Sequence, residues 1–269
     1  MKMCSLVLQV KQSVHKKITI MEINIPKTST VFASLLKADL TTQWRNRRSF
    51  VLVLFVPVII LISWKSIIDK LGGPFALSAC ITIGLMAIGL MGYSNSIARD
   101  RDKGIFQRLR VAPVASWSIM ASRLTVQLMM ILLVTIIVFF AGYNVDHITL
   151  SPIGYILTFF TAMIGGAVYL GMGQVIVGLI KNPETVNSTT RLVYFVFIMV
   201  GMFGEFGILG DQVKEIAIWS PYGTVKHVLA AGMEPEKWNL DTTKALLATI
   251  GYAVVFSTIG IKKFVWNTK

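Results

Sequence analysis

Six long apolar stretches, separated by short charged ones, constrain this chain of 269 residues more than any other feature. They are Ser49–Trp64, Pro74–Ala98, Leu124–Tyr143, a stretch within Pro152–Ile180, Leu192–Gly210 and Ala245–Ile261. A helix needs about 20 apolar residues to cross the hydrocarbon of a bilayer. Backbone groups in lipid must find hydrogen bonds within their own segment, so stretches of this length read as helices and not as strands. Composition points the same way. Charged residues are 14% of the chain, hydrophobic ones 54%, and the mean hydropathy is +0.68. A soluble domain carries roughly 25% charged residues. The predicted fold class is therefore all-α: a polytopic membrane protein with six transmembrane helices. The first stretch is short, but Lys65 at its end can snorkel to the interface, and Pro57 inside it predicts a kink. Ser151 predicts an N-cap for the fourth, with Pro152 at the first helical position.

The distribution of charge orients these spans. An even number of spans puts both termini on one side. That side carries 20 of the 26 Lys and Arg residues and five acids; the other carries six basic residues and eight acids. Basic loops stay in the cytoplasm, so the expected topology is N-in and C-in. The net charge of +13 then lines the inner face, where anionic lipid is the simpler partner than nucleic acid. Ahead of the first span, Phe32, Leu35, Leu36, Leu40 and Trp44 recur at helical spacing, opposite Ser34, Lys37, Thr41 and Arg45. This predicts an N-terminal interfacial helix, with Trp44 at headgroup level; a plain cytoplasmic amphipathic helix is the other reading. Residues 1–29 read as a cytoplasmic tail, 30–265 as the membrane domain and 266–269 as a short C-terminal tail. The apolar run at 6–8 is too short for a signal peptide, and Met21 stands as an alternative start. Cys4 and Cys80 imply no disulfide framework.

The densest charge cluster, "RDRDKGIFQRLRVAP" at Arg99–Pro113, lies in the longest internal cytoplasmic loop of this topology. It holds seven charges in fifteen residues. Gly104 breaks the run. After it Ile105, Phe106 and Leu109 form an apolar face, Gln107, Arg108 and Arg110 point elsewhere, and Pro113 stops the helix. A helix of one or two turns is not stable alone, so its apolar face must dock. Two surfaces are open to it: a partner protein, or the inner surface of its own chain.

With the following "SIMASRL", this stretch resembles the cytoplasmic loop of type-2 ABC transporter permeases, the ABC-2 type exporter family. That family shows an acidic-basic pair, a Gly, an aromatic or Leu, Arg-Leu, and a Pro before the third span. Here Lys103 stands where an acid is common and Ala112 where Thr is common. A second resemblance is "DQVKEIAIWSPYGTVKHVLAAGM" at Asp211–Met233, which matches the short extracellular helices of that family between spans five and six. The likeness covers residues 30–265. It implies a permease subunit that dimerises with a second permease, as a homodimer or heterodimer, and is driven by separate ATP-binding cassette ATPase subunits. Gly104, Ile105, Phe106, Arg108, Leu109 and Arg110 would then form the coupling helix seated in an ATPase cleft. It also implies export, and a place in the cell membrane of a bacterium.

The chain itself carries no G-x-x-x-x-G-K-[ST] phosphate loop, no H-E-x-x-H and no G-x-S-x-G, and its three histidines are scattered. No catalytic, cofactor or metal residues are expected; ATP would be bound by the partners. Secondary carriers usually need charged groups within spans, and these spans are nearly free of them. Gly201, Gly204 and Gly207 recur every three residues in the fifth span, and Ala162/Gly166 and Ala167/Gly171 are small-residue pairs in the fourth. Small residues let helices approach closely, either within one chain or at a dimer interface. Gln127 and Gln174 are polar groups inside spans, suited to interhelical hydrogen bonds or to substrate contact. Glu205 is either an interfacial carboxylate or part of an outer gate; Trp219 and Trp238 read as interface anchors. The function expected is a permease for an amphipathic drug, peptide or lipid-like molecule. A secondary carrier, a channel or a membrane anchor without transport are the alternatives.

Overall fold

The computed structural model describes residues 28–45, 47–111, 116–207 and 210–264. At positions 47–50, 52, 67, 109–111 and 116–117 it describes the backbone alone. Residues 1–27 of the expected tail at 1–29, the expected tail at 266–269, and Pro113 lie outside these residues; residues 28 and 29 open the first helix instead.

Among the described residues the chain is helical, without strands. In order, the helices are α1 (Thr28–Arg45), α2 (Arg47–Ser63), α3 (Lys65–Leu71), α4 (Gly73–Asp102), α5 (Ile105–Val111), α6 (Ser116–Asp146), α7 (Pro152–Leu179), α8 (Pro183–Phe203), α9 (Asp211–Trp219), α10 (Pro221–Met233) and α11 (Leu240–Lys263). Five of them, α4, α6, α7, α8 and α11, are long and apolar enough to cross a membrane. The predicted first span, α2, is a helix, but its apolar part is shorter, Val53–Ser63.

Local chemistry sets the helix starts. Ser151, Asn182, Ser220 and Asn239 each accept a backbone N–H of the first turn that follows, which satisfies donors a helix cannot pair internally. Pro152, Pro183 and Pro221 stand behind three of these caps, where a missing N–H costs nothing. The Asn182-Pro183 start corrects the sequence reading of the fifth span. That span was expected from Leu192, with 181–191 as a loop. Instead Glu184 to Arg191 are helical, because a good cap starts a helix ahead of its apolar part.

Helix packing follows from small residues. Between helices in lipid the hydrophobic drive is absent, and close van der Waals contact takes its place. α7 is the centre. Gly166 lies under Ile131 of α6, Gly171 under Phe256 and Ser257 of α11, and Gly173 against the Gly89 carbonyl of α4. Gly260 of α11 lies on Gln174 in return. α4 is the most enclosed span, 83% buried, whereas α8 and α11 are 17% buried and show most of their surface outward. Within α4, Ala87–Tyr93 winds as a wider i→i+5 helix, and Met199–Phe203 does so in α8. Such turns are rare and often mark functional segments.

The bundle has two distinct ends. At one, Gly73 meets Ile148, and Gly154 meets the Met233 carbonyl. At the other, Arg101 reaches the end of α7, and Gly178 meets Lys263. These are called the hairpin end and the loop end below.

At Gly89 an added methyl would lie 2.5 Å from the carbonyl carbon of Tyr169 and 2.7 Å from its oxygen, both backbone atoms. At Gly92, three residues on, it would meet only the Ala87 oxygen, at 3.6 Å. Overpacking a tight site typically costs about 1–3 kcal/mol, and backbone cannot rotate away. Gly89→Ala is expected to lower the melting temperature of the purified protein clearly, and Gly92→Ala to leave it near the wild-type value. Equal melting temperatures for the two variants would refute this packing of α4 on α7.

Candidate functional site

The charged loop is built into the bundle rather than suspended beside it. Each charge in "RDRDKG" has a different place. Asp100 pairs with Arg123, at the start of the apolar part of α6, at 2.6 Å, and the side chains are 17% and 10% exposed. Arg101 is buried and points the other way. Its Nη1 donates to the Val177 carbonyl at 2.7 Å, and its Nη2 to those of Ile180 and Lys181 at 2.6 and 3.0 Å. These carbonyls close α7, where the last turn leaves acceptors unpaired and the dipole is negative. One guanidinium thus caps the central helix. Arg99, Asp102 and Lys103 are exposed. Gly104 has φ +66 and its N–H bonds to the Arg101 carbonyl at 3.0 Å. This left-handed position ends α4 at little steric cost for glycine and turns the chain into α5.

Phe106 then settles which way α5 faces at that position. Its ring is fully buried. It meets Phe264 edge to face, with centroids 5.9 Å apart, and the Arg123 guanidinium lies over it at 4.9 Å. Edge-to-face aromatic pairs and stacked guanidinium groups are each favourable by about 1 kcal/mol. The Phe106 side of the apolar face therefore docks on its own chain, and the ring is not free to fill a cleft on another protein. Gln107 and Arg108 are exposed and Ile105 is half-buried. Leu109 and Arg110 continue the helix, and their side chains lie outside the described part.

α1 joins the same cluster. Asp39 accepts a hydrogen bond from Ser122 Oγ at 2.5 Å, one residue before Arg123. Phe32, Leu35, Leu36 and Asp39 are half-buried, whereas Leu40 and Trp44 of the predicted apolar face are exposed. The helix turns its acid, as well as its leucines, toward α6. Burial raises the Asp39 carboxyl above its ordinary value of 3.8, and the nearby Asp100 adds to this; Ser122 and Arg123 oppose it.

The family model of the ABC-2 type transporter matches residues 30–221, from α1 to the start of α10. The chain belongs to the ABC-2 type transporter family. A protein of Bacillus subtilis (strain 168) named "Putative transport permease YvfS" is 22% identical over 184 residues, covering 67% of this chain and 72% of that protein. The chain is thus an ABC-2 membrane permease, and the apolar helices are those of a multi-pass membrane protein.

The remaining residues singled out in the sequence of this permease occupy separate places. Gly201 faces its own hairpin: an added methyl would lie 2.2 Å from the Tyr222 ring. At Gly204 it would lie 2.6 Å from Ala217 of α9. Gly207 has φ +70 and turns the chain after α8. The close approach that Gly201 and Gly204 allow is therefore within one chain, while Gly207 serves the turn, and an added methyl there would meet nothing closer than Lys214 at 4.0 Å. Gln174 accepts from the Tyr93 hydroxyl at 2.6 Å, an interhelical bond between α7 and α4. Gln127 is buried, with Oε1 lacking a partner among the described residues. Glu205 pairs with Lys226 of α10 at 2.5 Å. Trp219 and Trp238 are partly exposed at the hairpin end.

The residues that hold the loop, Asp39, Asp100, Arg101, Ser122, Arg123 and Phe264, were not legible as a site. Arg123 marks the edge of an apolar stretch, as any span-flanking cation does, and no periodicity links 100 to 123 or 106 to 264.

The Asp39 shift gives a pH dependence with a definite sign. A carboxyl whose folded pKa is raised binds its proton more tightly in the folded state. Its contribution to stability is present below 3.8 and is lost as pH rises through the raised folded value. Asp39→Asn lacks this titration and keeps an acceptor for Ser122. Melting curves across the mildly acid range should show the variant gaining on the wild type as pH rises, then holding a constant difference. A variant that loses ground with rising pH would mean that Arg123, not burial, dominates at Asp39.

Proposed function

We propose that this permease is the membrane subunit of an ATP-driven exporter, paired with a second permease and driven by separate ATPase subunits that engage α5. The mounting of α5 is the observation that carries this reading. On one side Phe106 is fixed between Arg123 and Phe264. On the other, Lys103, Gln107 and Arg108 are exposed. A seven-residue helix held only by its own hydrogen bonds would melt under load. One anchored by a buried aromatic ring transmits a push instead, through Arg123 to α6, through Asp100 and Gly104 to α4, and through Phe264 to the end of α11. The ATPase contact in this reading is made by the polar side, and Phe106 is the mount beneath it.

Six spans with both termini and α5 in the cytoplasm complete the proposal. α2 serves as the first. Phe55, Ile59 and Ile62 on it are about half exposed, as lipid-facing positions are, and Arg47 and Lys65 flank it. The excess of basic residues at the loop end supports that side as cytoplasmic. The sparsely buried α8 and α11 are the surfaces left for lipid and for a second permease. The cargo is an amphipathic drug, peptide or lipid-like molecule.

Three measurements test this. Affinity purification of the tagged permease is expected to recover a phosphate-loop ATPase. Arg108→Glu should weaken that capture in a salt-dependent way, because charges at a contact rim act on encounter and register. Phe106→Ala should lower the melting temperature of the permease alone, by about 3 kcal/mol or more of stability. No ATPase with the wild type, or full capture and coupled hydrolysis in Arg108→Glu, would defeat the reading. For topology, a cysteine at Glu236 in a Cys4→Ser background should react with an impermeant thiol reagent in intact cells, and one at Lys103 should not. The reverse labelling would overturn the orientation.

A further inference from the structure

At the hairpin end, α9 and α10 fold back over the end of α3, the start of α4 and the end of α8, around a cavity of about 280 Å³. Pro74, Ile218 and Ala230 give it an apolar wall, and Phe75, Glu205 and Lys226 its chemistry. The Lys226 ammonium lies 3.2 Å from the centroid of the Phe75 ring and 2.5 Å from Glu205 Oε2. A carboxylate facing an aromatic ring is the pairing that an ammonium group seeks. The charge attracts it, the negative face of the ring attracts it again, and both strengthen where water is excluded. In this chain its own lysine fills that place.

Accessibility decides which charge an incoming molecule meets. The Lys226 side chain is 4% exposed, whereas that of Glu205 is 33% exposed. A second pair on the rim repeats the pattern. Glu234 is 31% exposed, and its partner Lys237, 69% exposed, lies outside it. Both carboxylates are therefore reachable from the cavity, while Lys226 lies behind Glu205 and Lys237, on the rim, is held by Glu234 at 2.8 Å. An anion entering here finds each lysine already paired with a carboxylate, and the deeper one, Lys226, lies behind Glu205. A cation meets the carboxylates first.

We propose that this cavity binds the ammonium headgroup of a cationic amphiphile, held by Glu205 and the face of Phe75, with Lys226 as the internal cation that the ligand replaces. The apolar wall takes the start of its tail. Lys226 is suited to yield. Burial lowers its pKa to about 8, against the pull of Glu205 and Cys80, so when a ligand ammonium takes its place it releases its proton to solvent and the local charge balance is kept. His227 beside it is held toward its neutral form, by burial first and by Lys226 as well, against Asp241 and Glu205, and adds no competing cation. The site lies within one chain and needs neither an ATPase nor a second permease, so its failure would leave the exporter reading standing.

The test is direct binding of hexyltrimethylammonium, with hexyl phosphate as the anionic counterpart, to the full-length permease in nanodiscs by calorimetry. The wild type should bind hexyltrimethylammonium and not hexyl phosphate. Glu205→Gln should weaken binding at least tenfold, and Phe75→Leu several-fold. Lys226→Met removes the internal competitor and should tighten binding at least tenfold. Should Lys226→Met fail to fold, as judged by gel filtration, Glu205→Gln alone decides. Unchanged affinity in Glu205→Gln would overturn the proposal. So would binding of hexyl phosphate that Lys226→Met abolishes, which would make this an anion site, and so would an absence of binding in every variant.

Discussion

Arg123 is the interaction on which the loop end depends. Its guanidinium pairs with Asp100, lies over Phe106, and sits one residue from the Ser122–Asp39 bond. Through it α1, α4, α5 and α6 are held to one point. A buried ion pair contributes little net stability, because desolvation offsets the attraction. Removing one partner is another matter, since the other is left charged and unpaired, at a cost of about 3–5 kcal/mol. The pair therefore acts less as glue than as a specification: only one arrangement of the four helices satisfies it. A lysine cannot substitute, because a compact ammonium does not combine a flat stacking face with a directed fork of donors. Arg101 plays the complementary part toward α7 with three carbonyls. Adjacent residues of one helix thus bind two different neighbours, and the end of α4 is fixed from both sides.

The rest of the bundle is held differently. Away from the loop end the contacts are glycine against side chain or backbone, with few strong polar bonds. In lipid these contacts depend on fit, since burial of apolar surface against another helix gains little over burial against acyl chains. That explains why glycines gather on α7 and on the facing parts of α4 and α11. It also explains the contrast between the enclosed α4 and the open α8 and α11. A helix without small residues on a given face has no means of close approach there and leaves that face to lipid or to another subunit.

Much of this was legible in the sequence. The apolar stretches give the long helices, Ser151-Pro152 gives the start of α7, and the glycine after "RDRDK" gives the break before α5. What escaped has a common physical cause. The start of α8 at Pro183 was carried by a local cap and lies in polar sequence, where an apolar count is blind. The short α2 shows an interior too brief to meet a length criterion alone. Phe106 reads in the sequence as part of an apolar face, but periodicity reports that a face is apolar and never what it touches. Gly201 and Gly204 were readable as close contacts, and only coordinates show that the contact is with Tyr222 and Ala217 of the same chain. The buried Lys226 was hidden in the same way: between Val225 and His227 it reads as a loop-side cation, and its burial exists only because Glu205, 21 residues earlier, comes to meet it.

The two ends of α4 share a design. At one, Asp100 and Arg101 engage buried partners; at the other, Phe75 covers a buried ammonium. Between them the helix widens at Ala87–Tyr93, where Ser94 Oγ donates to the Gly89 carbonyl at 3.1 Å and where Gly89 meets the Tyr169 backbone. A helix pinned at both ends and touched backbone to backbone in its middle cannot slide as a rod without breaking one of three tight contacts. The i→i+5 turn departs from the α-helical ladder between the two pinned halves, so it sets the rotation and rise of one half relative to the other. Gly89, with no side chain to clear, is the residue that lets the Tyr169 backbone of α7 lie directly against this turn.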